Sequence, residues 1–174
     1  MACEMPGRSV PRDSIGLAPH DGSASDPLVL LSRSAPGGFS SMEYDSTGGL
    51  TLRLVDTSHV TAVRAALLGA YAPGRSSDWQ ERFARDLAGA RVAVARWSLA
   101  DLTDWFHYLQ RRMFAAAPAA GMSVVGAGLN PRREVISFVL PSAQARVWAE
   151  RVLADLHLPC GLVETTVGGP SQVL

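Results

Sequence analysis

The chain contains no lysine. All 16 of its basic residues are arginine, balanced by 16 acidic residues, and Asn130 is its single asparagine. Without lysine there is no Schiff-base amine, no pyridoxal-phosphate anchor and no phosphate-loop lysine. Arginine used throughout in place of lysine fits codon usage in a GC-rich genome. No block of like charge exceeds two residues, which excludes the electrostatic footprint of a nucleic-acid or anionic-membrane binder. No apolar run reaches the roughly 18 residues a transmembrane helix needs, and no standard signal peptide is visible.

Cysteine is nearly as scarce. Cys3 and Cys160 are the only two, and His20, His59, His107 and His157 do not stand at ligand spacing, so no metal site is expected. Cys160 follows Leu158 and Pro159 at the mouth of a predicted strand and reads as a buried structural thiol. Cys3 stands in Met1-Ala2-Cys3-Glu4. A cysteine after a small residue is what ends a bacterial lipoprotein signal, so Cys3 is a candidate lipid-attachment residue of an envelope or secreted protein if the true start lies upstream. With the start as written, the expectation is cytoplasmic.

What the 174 residues do contain is a repeated pattern. Residues 1–26 are rich in Pro, Gly, Ser and Asp and read as a disordered arm. The short run Leu28–Leu31 fits one helical turn or a strand, and Asp26-Pro27 before it slightly favours the helix start. A hairpin follows, with Asp45 in its turn and Leu50, Leu52 and Leu54 alternating in the return strand. A helix opened near Ser58 carries Val60, Val63, Leu67 and Leu68, and a second, from about Ser77, carries Trp79, Phe83 and Leu87. Val92 and Val94 mark a closing strand.

The second half opens on Ser98-x-x-Asp101, a capping box, with Leu102, Trp105, Phe106, Leu109 and Met113 forming an apolar face. Strands are predicted over Met122–Leu129 and Glu134–Leu140 around a turn at Asn130. A helix from Ser142 presents Ala145, Trp148, Val152 and Leu156. Leu162, Val163 and Val167 mark a last strand. Asp45 and Asn130 lie 85 residues apart. The same offset pairs Leu50 with Val135, Leu54 with Val139, Thr57 with Ser142, and Leu67 and Leu68 with Val152 and Leu153. The expected fold is α+β: two related ββα-containing modules, the second αββαβ, with antiparallel sheets and helices on one face. The modules fall at 27–96 and 97–168, and a tail runs over 169–174.

The stretch Trp97-Ser98-Leu99-Ala100-Asp101-Leu102, with Trp105, Gly121 to Val125, Leu129-Asn130, Val135, Ser137 and Val139, resembles the pro-region of bacterial alpha-lytic-protease-like secreted serine proteases. It is similar also to envelope proteins that carry this α/β module without a protease. The resemblance spans about residues 97–167. It implies an interaction role in which the C-terminal segment Thr165, Thr166, Val167, Gly168, Gly169 and Pro170 enters a partner's groove.

Chemistry is sparse. No Gly-x-Ser-x-Gly elbow occurs. Gly126-Ala127-Gly128 lies in a strand rather than between strand and helix, so no dinucleotide or other cofactor site is expected. His107 lies beside an apolar helix face, and His157 near a helix end, where the dipole favours imidazolium. Asp101 and Asp104 lie in a first helical turn, where the same dipole favours carboxylates. No catalytic residue is therefore assigned. The sequence supports a non-catalytic protein-interaction module that binds through a sheet edge or its tail. Its rivals are a small, possibly hydrolytic enzyme and an oligomerising module with Trp79, Trp105 and Trp148 at an interface.

Overall fold

The structure, a computed structural model, describes Val10 and residues 26–168. The arm read for residues 1–26, apart from Val10 and Asp26, and the tail at 169–174 lie outside the described residues, as do Cys3 and His20. The chain is α+β and divides into two compact units, with the boundary between Asp101 and Leu102.

The first unit begins with helix α1, Pro27–Ser34. The Asp26 carboxylate accepts the Leu28 amide, and Pro27 occupies the position where a missing N–H costs nothing. Strands β1 (Phe39–Tyr44) and β2 (Leu50–Leu54) form an antiparallel hairpin. The side chains of Leu50, Leu52 and Leu54 are buried on one face, the period-two pattern of a strand covered from one side. A short 3₁₀ turn, Thr57–His59, leads into α2 (Val60–Tyr71), which buries Val63 and Leu67. The cap is the Asp56 carboxylate, which accepts the Ser58 amide, rather than Ser58 itself. Helix α3 (Ser77–Gly89), capped by Ser76, buries Phe83 and Leu87, and β3 (Arg91–Val94) closes the unit.

The second unit repeats this order without the extra helix. Helix α4 (Leu99–Ala119) spans the boundary and buries Leu102, Trp105, Leu109 and Met113. Strands β4 (Gly126–Asn130) and β5 (Val135–Leu140) form a hairpin. Helix α5 (Ala143–Ala154), capped by Ser142, leads to β6 (Val163–Val167). Strand β4 is shorter than the expected Met122–Leu129. Gly121 turns at φ +63°, and the Met122 amide bonds back to Ala117, so the next residues are spent leaving the helix.

Both sheets are three-stranded, ordered β1-β2-β3 and β4-β5-β6. They are mixed rather than antiparallel, because β3 runs parallel to β2 and β6 parallel to β5. A helical crossover between neighbouring strands returns the chain in the same direction.

The two units share one order of elements, in a register corrected from the expected offset. The hairpin turns differ by one residue. Tyr44 faces Leu50 across five turn residues, whereas Leu129 faces Ile136 across six. The offset is therefore 85 up to Asp45 and Asn130 and 86 beyond them. Buried Leu50, Leu52 and Leu54 then match buried Ile136, Phe138 and Leu140, and Val63 and Leu67 match Ala149 and Leu153. Caps Asp56 and Ser142 also coincide. The pairing of Leu50 with Val135 and Leu54 with Val139 joins opposite faces of a strand, since one residue of slip inverts every side chain. The expected face of α5 is also corrected: the helix buries Ala145, Ala149 and Leu153 and leaves Trp148 and Val152 half-exposed.

The start of α4 is held twice. Ser98 Oγ accepts the Asp101 amide at 3.0 Å, as the capping box predicts, and also donates to the Asp101 carboxylate at 2.6 Å. Ser32, buried on α1, accepts the Ala100 amide at 3.0 Å and donates to the Phe39 carbonyl at 2.6 Å. One hydroxyl thus ties α1, β1 and the α4 N-terminus together and satisfies a helical amide that has no partner within its own helix.

Candidate interaction edge

Each three-stranded sheet has two edge strands, and an edge presents unpaired N–H and C=O groups unless something blunts it. Strand β1 carries a register shift between Phe39 and Ser41, and β4 is interrupted by Gly126 and Gly128. Strand β3 has neither bulge, proline nor glycine. In its parallel ladder, Ala95 N–H donates to the Leu54 carbonyl at 2.7 Å, and Ala93 pairs with Arg53. Odd-numbered residues therefore bond inward to β2, and the backbone groups of Val92 and Val94 point out of the sheet. Their side chains lie on the helix-covered face, yet Val92 is 38% exposed and Val94 69%.

The entry to β3 is pinned. Arg64 on α2 donates to the Ala90 carbonyl at 3.0 Å, and Arg91 Nη2 lies 2.7 Å from Asp45 Oδ2 in the hairpin turn. Asp45 also accepts from the Thr47 hydroxyl at 2.6 Å, the Thr47 amide at 2.8 Å and the Gly49 amide at 2.9 Å. These bonds, the Thr47 hydroxyl first, lower the Asp45 carboxyl to about 2. A pKa depressed in the fold stabilises the fold above the ordinary value of 3.8, and that stabilisation is lost as pH falls toward 2. Asp45→Asn is accordingly expected to be less stable than wild type at pH 7, with the gap narrowing from pH 4 downward in chemical-denaturation curves. A gap that does not change with pH would show that the charge does not hold the turn.

Strand β6 is the matching edge. Thr165 pairs with Phe138 as Val92 pairs with Leu52, and Val167 corresponds to Val94. Thr166 thus bonds inward to β5, the backbone groups of Thr165 and Val167 point out of the sheet, and the Gly168 amide donates to the Leu140 carbonyl. Gly169 and Pro170 lie outside the described residues. Polar contacts fasten β6. Glu164 receives both Arg133 terminal nitrogens at 3.0 and 2.8 Å and the Ser137 hydroxyl at 2.7 Å. Glu150 accepts from Thr165 Oγ1 at 3.1 Å and Arg146 Nε at 2.8 Å. Both carboxyls are held below their ordinary range, Glu164 chiefly by Ser137 and Glu150 chiefly by Arg146.

The described histidines lie in different elements. His59 is half-exposed, with Nε2 3.6 Å from Asp56; His107 is half-buried on α4 beside Phe106; His157 is exposed at φ +50°. The left-handed backbone places His157 in a turn after α5, so its position follows from chain reversal as well as the helix dipole. Cys160 is half-buried and disulfide-bonded, which corrects the expectation of a free buried thiol. Among the described residues no group of three His, Cys, Asp or Glu side chains could hold a metal, and no helix is long and apolar enough to cross a membrane.

The extra helix α3 forms one wall of a groove in the first unit. The groove, of about 570 Å³ between α2 and α3, is lined by Ala65, Leu68, Gly69, Ala72 and Ala84, with Gln80 and Glu81. Glu81 is its single ionisable group, so the groove holds no acid–base pair. Trp79 stacks on Phe83 at 4.8 Å, and Trp105 is buried against Tyr108.

Sequence reading found Val92 and Val94 as a strand but not as an edge. The available signal was Val92-Ala93-Val94 without a proline or glycine, set between Arg91 and Arg96. No family model matches the chain, and no curated protein matches it in sequence.

Proposed function

We propose that the protein is a non-catalytic interaction module that accepts an extended polypeptide segment along β3. The observation that carries this reading is the outward-facing backbone of Val92 and Val94, flanked by two exposed valine side chains on a short strand with no bulge, proline or glycine. An extended chain satisfies such donors and acceptors in alternation and covers the valines with its own alternate side chains. The bonded Cys160 supports an oxidising compartment, consistent with an envelope or secreted location and with a pro-region-like role.

Val94→Pro supplies the test, because the Val94 amide makes no ladder bond to β2. Selection of a displayed linear-peptide library on the wild-type protein is expected to enrich segments with alternating β-branched residues. Val94→Pro should keep the wild-type circular dichroism spectrum and lose those binders at least tenfold. Binders indifferent to Val94→Pro would overturn the reading.

A further inference from the structure

We infer that the extended segment accepted by β3 is the β3 strand of a second copy of this chain, an inference that rests on the edge reading above. Antiparallel self-pairing about a two-fold axis at Ala93 places Val92 opposite Val94 of the other copy, and Val94 opposite its Val92. The residues that face each other are those whose backbone groups point outward, so each Val92–Val94 pair exchanges two bonds and the axis gathers four. Ala93, bonded inward to β2, falls at the intervening non-hydrogen-bonded position.

The side chains suit this register. The valines meet on one face as β-branched cross-strand pairs. Arg91 falls opposite Ala95, and the two Arg91 residues stand roughly 13 Å apart along the strands. A parallel pairing in register would instead bring the arginines side by side. Arg91 is also partly neutralised by Asp45 of its own chain. Strand β6 suits a second copy less well, because the Thr165 side chain is already engaged by Glu150 and Val163 is half-buried. A four-residue edge covers less than the roughly 1,200 Å² of a standard stable interface, so the dimer is weak and concentration-dependent.

Sedimentation velocity from about 10 μM to 1 mM, a range that reaches weak affinities, is expected to show the mass shift toward twice the monomer. Val94→Pro should remain monomeric throughout. A cysteine at position 93 should form a covalent dimer under mild oxidation, because Cα atoms across a non-hydrogen-bonded pair lie about 4.5 Å apart, within disulfide reach. Arg91→Cys should not. A wild-type protein that stays monomeric, a Val94→Pro protein that still dimerises, or cross-linking at 91 rather than 93 would each overturn the inference. A monomeric protein that still binds peptides lost on Val94→Pro would leave the edge reading intact and refute only the second copy. Loss of both behaviours would refute both.

Discussion

Phe138→Ala is expected to destabilise the second unit by about 3–5 kcal/mol, the usual cost of removing a fully buried phenylalanine. Phe138 is completely buried at the centre of β5, the middle strand of its sheet, flanked by the equally buried Ile136 and Leu140. The residues on either side of it in space, Ala127 and Thr165, belong to two different strands. Neither edge strand can therefore move to refill the space without breaking its ladder to β5. At roughly 0.05–0.15 kcal/mol per residue, the loss is comparable to the whole stability of a unit this small. Urea denaturation followed by circular dichroism should show a lower midpoint and an early loss of part of the signal. Thr166→Ala, at an exposed position of β6, should change stability by no more than about 0.5 kcal/mol. Equal effects from the two substitutions would mean that burial at β5 does not organise the unit. By the corrected register the partner experiment is Leu52→Ala, expected to cost about 2–5 kcal/mol in the first unit.

Gly37→Ala is expected to cost about 2–5 kcal/mol, from a left-handed backbone and an overpacked site together. Gly37 sits at φ +90°, and an added Cβ would lie 2.7 Å from His59 Cβ and 2.8 Å from the Asp56 carbonyl oxygen. The loop cannot swing aside cheaply. The Asp56 amide donates to the Gly37 carbonyl at 2.9 Å, and the Val55 amide to the Gly38 carbonyl at 3.0 Å, fastening the chain before β1 to the chain after β2. Gly48→Ala separates the two contributions. Gly48 is also left-handed, at φ +83°, but an added Cβ would meet nothing within 4 Å. Its cost should be only the backbone part, about 1–2 kcal/mol. If thermal or urea midpoints of the two variants coincide, steric closure against Asp56 and His59 contributes nothing.

Much of the architecture was legible because it depends on local chemistry. Asp26-Pro27, Ser98-x-x-Asp101 and Ser142 announce helix starts through side chains that reach amides two or three residues away. Alternating leucines at 50, 52 and 54 announce a half-covered strand. The repeat was visible as well, but its register was not. A one-residue difference in turn length leaves periodicity intact while inverting which face is buried, so Val135 and Val139 read as core residues as plausibly as Ile136 and Phe138. The edge was hidden for a related reason. Whether the amide of Val94 points toward β2 or away from it depends on a parallel pairing formed across a two-helix crossover.

Sequence alone determined the α+β class, the caps, the strand alternation and the closure of lysine-dependent chemistry, because each depends on residue identity within a few positions. The tertiary structure alone decided four things. These are the parallel third strand of each sheet, the 86-residue register of the repeat, the buried Ser32 hydroxyl between the Ala100 amide and the Phe39 carbonyl, and the exposed edge at Val92 and Val94. Each is a pairing between residues far apart in the chain. The hydrogen bonds and burial that choose among such pairings exist only once the strands have met.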